Sequence, residues 1–312
     1  MILICSDEHE PTTDVVCYWL AYLKKKFIRI SNKNSITILK IILNNKEIDI
    51  HFAIDDKKYY LSEFTSYWYR RSNLNFKMYY GVEFEYNKKD ISDKVNLFLK
   101  DELKKVCEFF ENQLSKISKL NNHYDNNINK LIVLDKAKNL NINIPNTFVT
   151  DDINDLNQNN SYITKPIGDL LIEKDGYRYF STTKRVDMKK KAFQHSLIQN
   201  EIDKKFEIRT FFFNRKFFSS VIFSQSNPKT ELDFRNYDLD NPNRVVPYKL
   251  PVEFEEKLLK LFDEVNLNSG SLDIAYTKNG EYVLFEINPV GQFEQVELPC
   301  NYGIFKQIAE YL

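Results

Sequence analysis

Tyr282-Val283-Leu284-Phe285-Glu286-Ile287-Asn288-Pro289-Val290-Gly291-Gln292 is an apolar run interrupted by Glu286 and Asn288 and stopped by Pro289 and Gly291. Side chains alternate along a strand, so Glu286 and Asn288 share one face near its end. A carboxylate beside a carboxamide at the end of a buried strand is a hard-oxygen pair, the donor type that Mg²⁺ accepts and shares with substrate phosphates. Thirteen residues before Glu286, Asp273 sits in a second apolar run, Ser271-Leu272-Asp273-Ile274-Ala275-Tyr276, and the polar turn Lys278-Asn279-Gly280 joins the two. Lys-Asn-Gly between strand-like runs predicts a β-hairpin. That hairpin brings Asp273, Glu286 and Asn288 together from adjacent antiparallel strands. Taken alone, Glu-x-Asn reads equally as a strand ending in a polar turn. The added aspartate and the apolar setting favour the metal site.

The chain has 312 residues, enough for two or three compact lobes. Its 44 basic and 44 acidic residues cancel, so no polyanion-binding field is expected and nucleic acid is not a partner. Basic runs such as Lys24-Lys25-Lys26 and Lys189-Lys190-Lys191 read as solvated helix faces. Cys5, Cys17, Cys107 and Cys300 lack metal or redox spacing, which points to a reduced, cytoplasmic protein. Cys300 has no His–Asn framework and reads as a small buried residue. The opening Met1-Ile2-Leu3-Ile4-Cys5-Ser6 is too short for a signal peptide, and no apolar run approaches the roughly 20 residues of a membrane span. Only 7 glycines are present, and neither common Gly-rich phosphate loop occurs. Any nucleotide must therefore be held by side chains and ordinary backbone.

Strand, helix, strand opens the chain: residues 2–5, a helix capped by Thr12 or Thr13 and running to about Lys26, then residues 27–30. This is the start of an α/β lobe. A hairpin follows at 36–43 and 48–54, then Ser66-Tyr67-Trp68-Tyr69-Arg70-Arg71, a long helical region at 90–119, and a polar hinge at 121–129. A helix through Lys138 ends at Asn141, a residue that tolerates left-handed backbone. Tyr162-Ile163-Thr164-Lys165-Pro166 is a strand ending in a lysine fixed by a proline. Residues 176–186 read as a hairpin, 187–193 as a basic helix, and 196–202 as a further strand. Glu207-Ile208-Arg209 puts Glu207 and Arg209 on one face, as site residues or as a cross-strand ion pair.

Phe285-Glu286-Ile287-Asn288-Pro289-Val290-Gly291-Gln292-Phe293, with Asp273, resembles the metal-binding end of the ATP-grasp ligases. More narrowly it resembles the graspetide maturases, of the grasp-with-SPASM-like kind, which make ω-ester and ω-amide cross-linked peptides. Trp68-Tyr69-Arg70-Arg71 is similar to an element closing their first lobe, although a core aromatic pair beside surface arginines explains it as well. Asp233-Phe234-Arg235 is similar to their Asp-Trp-Arg element, with Phe in place of Trp. The resemblance spans nearly the whole chain and is weakest over the first 120 residues.

It implies an α/β ATP-grasp fold: a pre-ATP-grasp domain at 1–120, a central lobe at 121–202 carrying a peptide-docking hairpin and helix, and a C-terminal lobe at 203–312 with the metal site. It implies ATP and two Mg²⁺ ions, with Asp273, Glu286 and Asn288 as metal ligands. Lys130 and Lys165 would face the nucleotide and its phosphates; Gln199, Glu201 and Ile202 would read adenine through backbone groups; Glu207 would accept from the ribose hydroxyls. Arg209 would face the phosphates, Arg235 would clamp the moving phosphoryl group, and Asp233 is the general-base choice. The hairpin and helix at 176–193 would dock the leader of a ribosomally made precursor peptide, unless they simply cover ATP. The implied reaction activates Asp or Glu side chains as acyl phosphates and links them to Ser/Thr hydroxyls or Lys amines, in an enzyme that could be a homodimer. The alternatives are a ligase adding an amino acid to a protein or small-molecule carboxylate, and a nucleotide-binding regulator without turnover. Retention of all three metal ligands and Lys165 argues against the last.

Overall fold

In the computed structural model of the protein, which describes residues 1–77, 89–126, 128–168, 171–174, 177–180, 182–187 and 194–312, the apolar opening Ile2–Ser6 (β1) is wholly buried. It becomes a central strand of the first of two compact units, Met1–His123 with Phe305–Leu312 and Tyr124–Ile304. In the first unit β1 is followed by α1 (Pro11–Tyr22), β2 (Phe27–Ile30), β3 (Ser35–Leu43), β4 (Ile48–Ile54), β5 (Lys57–Tyr60), β6 (Ser66–Arg70), β7 (Asn75–Phe76), α2 (Lys89–Lys116) and β8 (Ser118–Leu120). A parallel sheet β2-β1-β6-β8 and a second sheet β5-β4-β3-β7 result.

α1 is capped by Glu10, not by Thr12 or Thr13. Pro11 takes the first helical position, and the Glu10 carboxylate accepts from the Thr13 N–H at 2.7 Å. Its other oxygen meets the buried guanidinium of Arg70 at 3.3 Å, so one member of Trp68-Tyr69-Arg70-Arg71 is a structural cation. α1 ends before Lys26 because Lys24 turns left-handed, at φ 56°. Phe305–Leu312, read above with the third lobe, groups here instead. Lys25 donates to the Glu310 carbonyl at 2.7 Å, and Lys119 donates to those of Tyr311 and Leu312 at 2.8 and 3.0 Å.

The second unit opens with α3 (Lys130–Asn139), capped by the Asn129 side chain, which accepts from the Leu131 N–H. It closes at Asn141, left-handed at φ 55° as its residue type allows. Then come β9 (Thr147–Thr150), β10 (Tyr162–Lys165), the hairpin β11 (Leu171–Lys174) and β12 (Tyr177–Phe180), β13 (Lys184–Arg185) and β14 (Ser196–Asn200). They build the antiparallel sheet β13-β10-β14-β9 with β11-β12 as a separate ribbon. The larger antiparallel sheet, β17-β16-β15-β18-β19, uses β15 (Lys204–Phe213), β16 (Lys216–Phe223), β17 (Arg244–Tyr248), β18 (Ser269–Thr277) and β19 (Tyr282–Asn288). The helices α4 (Val252–Glu264) and α5 (Glu294–Cys300) complete it.

This sheet sorts its side chains by face. Ile208, Phe212, Leu272 and Ile274 pack with Leu258, Leu261 and Phe262 of α4 and with Val133 and Ala137 of α3. Phe254, Leu258, Leu261 and Phe262 recur at helical spacing, which gives α4 its apolar stripe. The intervening residues, Glu207, Arg209 and Asp273, carry charge on the other face. In β19 strict alternation would put Leu284 and Glu286 on the same side, yet Leu284 lies in the core cluster. A bulge resolves the conflict: Ile274 pairs with Leu284 while Asp273 pairs with Glu286, leaving Phe285 as the extra residue. The turn predicted at Lys278-Asn279-Gly280 closes the hairpin, with Gly280 at φ +86°.

After β19 the chain folds back on β18. A Cβ added to Gly291 would sit 2.3 Å from the Ser271 side chain and 2.9 Å from the Ser271 backbone nitrogen. Gly291→Ala should therefore lower stability by about 1–3 kcal/mol, the usual cost of overpacking, read as a reduced melting temperature. Adding Ser271→Gly should restore only part of the loss, because the backbone contact remains. An undisturbed melting temperature in Gly291→Ala would show that the turn is not held against β18.

Candidate active site

The charged face of the β15–β18–β19 sheet gathers seven of the predicted site residues around one carboxylate. Glu286 is 4% exposed, and three cations meet it: Lys130 at 3.0 Å, Lys165 at 3.2 Å and Arg235 at 3.1 Å. Each comes from a different place in the chain. Lys130 is the first residue of α3, Lys165 the last of β10, and Arg235 lies in the connection between β16 and β17. Lys130 has a largely buried side chain and also reaches the Pro166 carbonyl at 3.3 Å. Beside Glu286, its cross-strand partner Asp273 forms an ion pair with Arg209 and lies 3.7 Å from Arg235. The cross-strand ion pair considered for Glu207 and Arg209 thus exists for Arg209 with Asp273, its register partner on β18. The Asn288 carboxamide completes the group, donating to Glu286 at 3.4 Å.

Burial pushes the Glu286 carboxyl up, but Lys165, Lys130 and Arg235 outweigh it and hold it well below the usual carboxylate range. The same burial lowers Lys165, which Glu286 only partly offsets. Asp233 is engaged on both oxygens. Arg235 donates to each at 2.9 Å and Thr183 donates to one at 2.8 Å, and these contacts overcome burial to keep its carboxyl low. An acid so committed orients Arg235 and is a poor proton acceptor, which argues against the general-base reading.

A cleft of about 530 Å³ opens beside this cluster, in the size range of small-molecule sites. Lys165, Glu201, Ile202, Glu207 and Asp233 line it. Gln199 does not. It is buried in β14, its backbone paired with β10 on one side and β9 on the other, and its amide donates to Thr147 at 3.0 Å. Ile202, just past the strand, is among the residues that line the cleft. Glu207 accepts from Ser224 at 2.9 Å and pairs with Lys204 at 3.0 Å; burial raises its carboxyl and Lys204 opposes the rise. Sequence reading missed Lys204 and Thr183. Lys204-Lys205 after a polar hinge looks like solvated charge, and only the fold shows Lys204 buried, with its ammonium also on the Leu232 carbonyl at 3.0 Å.

Of the segment read as a leader-docking surface, Gly176, Ser181 and residues 188–193 lie outside the described residues. Arg185 of that segment is bound to the cleft rim, donating to Glu201 at 2.8 Å and to Glu231 at 3.0 Å.

Among the described residues no three His, Cys, Asp or Glu side chains form a metal-ligating group. The donor set is instead two carboxylates and a carboxamide. It fits a hard cation on one observation: Asp273 Oδ2 is buried and has no hydrogen-bond partner, an acceptor left over for a ligand. No helix among the described residues is long and apolar enough to cross a membrane.

The chain has the ATP-grasp fold. It is similar over 99% of its length, and 94% of the other chain, to a Chryseobacterium gregarium RiPP-associated ATP-grasp ligase solved with ADP and a leader and core peptide, at TM-score 0.74 and 20% identity. Macrocyclase MdnC of Microcystis aeruginosa MRC, bound with precursor peptide MdnA, matches at TM-score 0.71 and 21% identity, covering 100% of this chain and 99% of that one. ATP-grasp ligase PsnB, complexed with a phosphomimetic variant of a minimal precursor, Mg and ADP, matches at TM-score 0.66 and 13% identity, over 99% and 96%. These likenesses do not reach the grasp-with-SPASM-like branch. No protein-family model and no curated protein matches the sequence.

Glu286→Gln removes the negative charge that Lys130, Lys165 and Arg235 share and leaves one neutral acceptor oxygen in its place. Stranding buried cations costs about 3–5 kcal/mol, so the ligand-free variant should melt well below the wild type. Polyanions that engage the same cations, such as tripolyphosphate, should recover part of the difference. Equal melting temperatures without ligand would mean that the three cations do not depend on Glu286.

Proposed function

We propose that the protein is an ATP-dependent, ADP-forming ligase that cross-links a ribosomally made precursor peptide. One observation carries this reading: a buried oxygen-donor set, Asp273, Glu286 and Asn288, lies among four cations beside a nucleotide-sized cleft. Fold likeness to peptide-bound ATP-grasp ligases supports the peptide as substrate.

Asp273, Glu286 and Asn288 would hold Mg²⁺, which neutralises triphosphate charge. Lys130 and Lys165, no longer needed on Glu286, would turn to the phosphates, and Glu207 would take the ribose hydroxyls. Ile202 and Glu201 would meet the adenine. A side-chain carboxylate oxygen of the peptide attacks the γ-phosphorus of ATP, the bond to the β–γ bridging oxygen breaks, and ADP leaves. A Ser/Thr hydroxyl or Lys amine of the same peptide then attacks the acyl carbon, releases phosphate and gives up its proton. The sum for each ring is loss of one water. Nothing in the protein need become covalently attached; its work is placement and charge stabilisation. Arg235, oriented by Asp233 and Thr183, supplies a planar fork to the phosphoryl group in transfer. We place the reaction in the cytoplasm, where ATP and newly made peptide meet.

Co-expression with a short peptide encoded beside the gene and containing Thr with Glu or Asp should give a product lighter by about one water per ring by mass spectrometry, absent with Glu286→Gln or Asn288→Ala. An unmodified peptide with the wild-type protein would count against peptide ligation. Unchanged rings in either variant, with normal Mg²⁺ dependence, would remove the metal assignment.

Arg235→Lys keeps the charge and loses the fork. Turnover should fall by about 10²-fold or more, with ATP affinity changed only slightly. The reverse pattern, collapsed ATP binding with unchanged turnover per bound nucleotide, would make Arg235 a ground-state contact.

A further inference from the structure

The connection between β16 and β17 carries more than Arg235. Two buried side chains brace it: Asn227 donates to Asp238 at 2.9 Å and to the Asn241 carbonyl at 3.3 Å, and Thr230 donates to Asn243 at 3.0 Å. Yet it holds two large apolar side chains toward solvent, Tyr237 at 53% and Leu239 at 89% exposure. Tyr237 follows Arg235 by two residues, and its hydroxyl accepts from the amide of Gln295 in α5. Arg209 and Arg235 both lie close enough to oppose the effect of burial on that hydroxyl.

Three polar atoms in this neighbourhood are buried without a hydrogen-bond partner, Arg209 Nε, Gln295 Oε1 and the Asp273 Oδ2 read above as facing a cation. Arg209 is itself 5% exposed, with its terminal nitrogens directed to Asp273 and, at 3.5 Å, to the Gln292 carbonyl. Unsatisfied buried donors and acceptors are costly and call for a missing partner. Here the missing partners are one acceptor for Arg209 and one donor for Gln295. An acidic residue within a peptide supplies both, a carboxylate from its side chain and an N–H from its backbone. A small carboxylate lacking an amide would satisfy only the first.

We propose that Tyr237 and Gln295 are substrate-contacting residues that select an acidic side chain presented by a peptide. The Tyr237 hydroxyl and Arg209 hold its carboxylate near Arg235, and Gln295 accepts from its backbone. This rests on the peptide-ligase reading and gives that reading its specificity element.

The test is steady-state ADP release with the Thr- and Glu/Asp-containing peptide encoded beside the gene. Tyr237→Phe should raise the peptide KM about tenfold or more, the usual loss for a hydrogen bond to a charged group. The ATP KM should stay within about twofold. Gln295→Glu, which sets a carboxylate against the incoming one, should raise the peptide KM further and again spare ATP. Melting temperature and Mg²⁺–ATP binding of each variant confirm the fold. Unchanged peptide KM in both variants overturns the inference while leaving the ligase intact. Peptide and ATP KM rising together would move Tyr237 into the nucleotide site and overturn it as well. Absence of peptide-stimulated ADP release in the wild-type protein removes the peptide-ligase reading and the inference with it.

Discussion

One carboxylate shared by three cations organises the second unit. Each buried ion costs several kcal/mol to take out of water, and only close opposite charge offsets that. Glu286 repays the cost for the largely buried Lys130 and Lys165, and with the more exposed Arg235 it ties the start of α3, the end of β10 and the β16–β17 connection to β19. Without a ligand, the acids and bases of the site satisfy one another. Such a cluster holds the site in place before substrate arrives. Under the proposed function it also prepares an exchange, in which the cations that now serve Glu286 would turn to a triphosphate.

The backbone makes this possible by two local departures from regularity. The bulge at Phe285 lets Leu284 stay in the core while Glu286 turns to the charged face. The missing side chain at Gly291 lets the next turn press against Ser271 and present the Gln292 carbonyl to Arg209. Both sit within a few residues of Glu286 and Asn288, where strand geometry has to be bent to aim side chains. On the opposite face of the sheet α4 and α3 cover an apolar core.

Much of this was legible in the residues. Apolar runs cut by Glu286, Asn288 and Asp273 announced a hairpin with oxygen donors, because a strand alternates its faces and Lys-Asn-Gly turns tightly. Asn141 announced its left-handed cap, and Lys165-Pro166 a lysine at a strand end. What could not be read were the partners. Glu10, not a threonine, caps α1, because Pro11 and Arg70 together decide which side chain turns inward. Lys204 looked like solvated charge and is buried on Glu207, and Gln199 looked like a cleft residue and is spent inside a sheet.

The sequence by itself determined the β18–β19 hairpin and its oxygen-bearing side chains, since these follow from periodicity and turn chemistry over a dozen residues. Tertiary structure alone decided which cations share Glu286, that Asp233 serves Arg235, and that Arg209 Nε and Gln295 Oε1 are left open near Tyr237. The reason is range. Lys130, Lys165 and Arg235 approach Glu286 across 156, 121 and 51 residues of chain. No local pattern encodes which distant charge a buried carboxylate will meet; only the packed sheet and its covering helices bring them within reach.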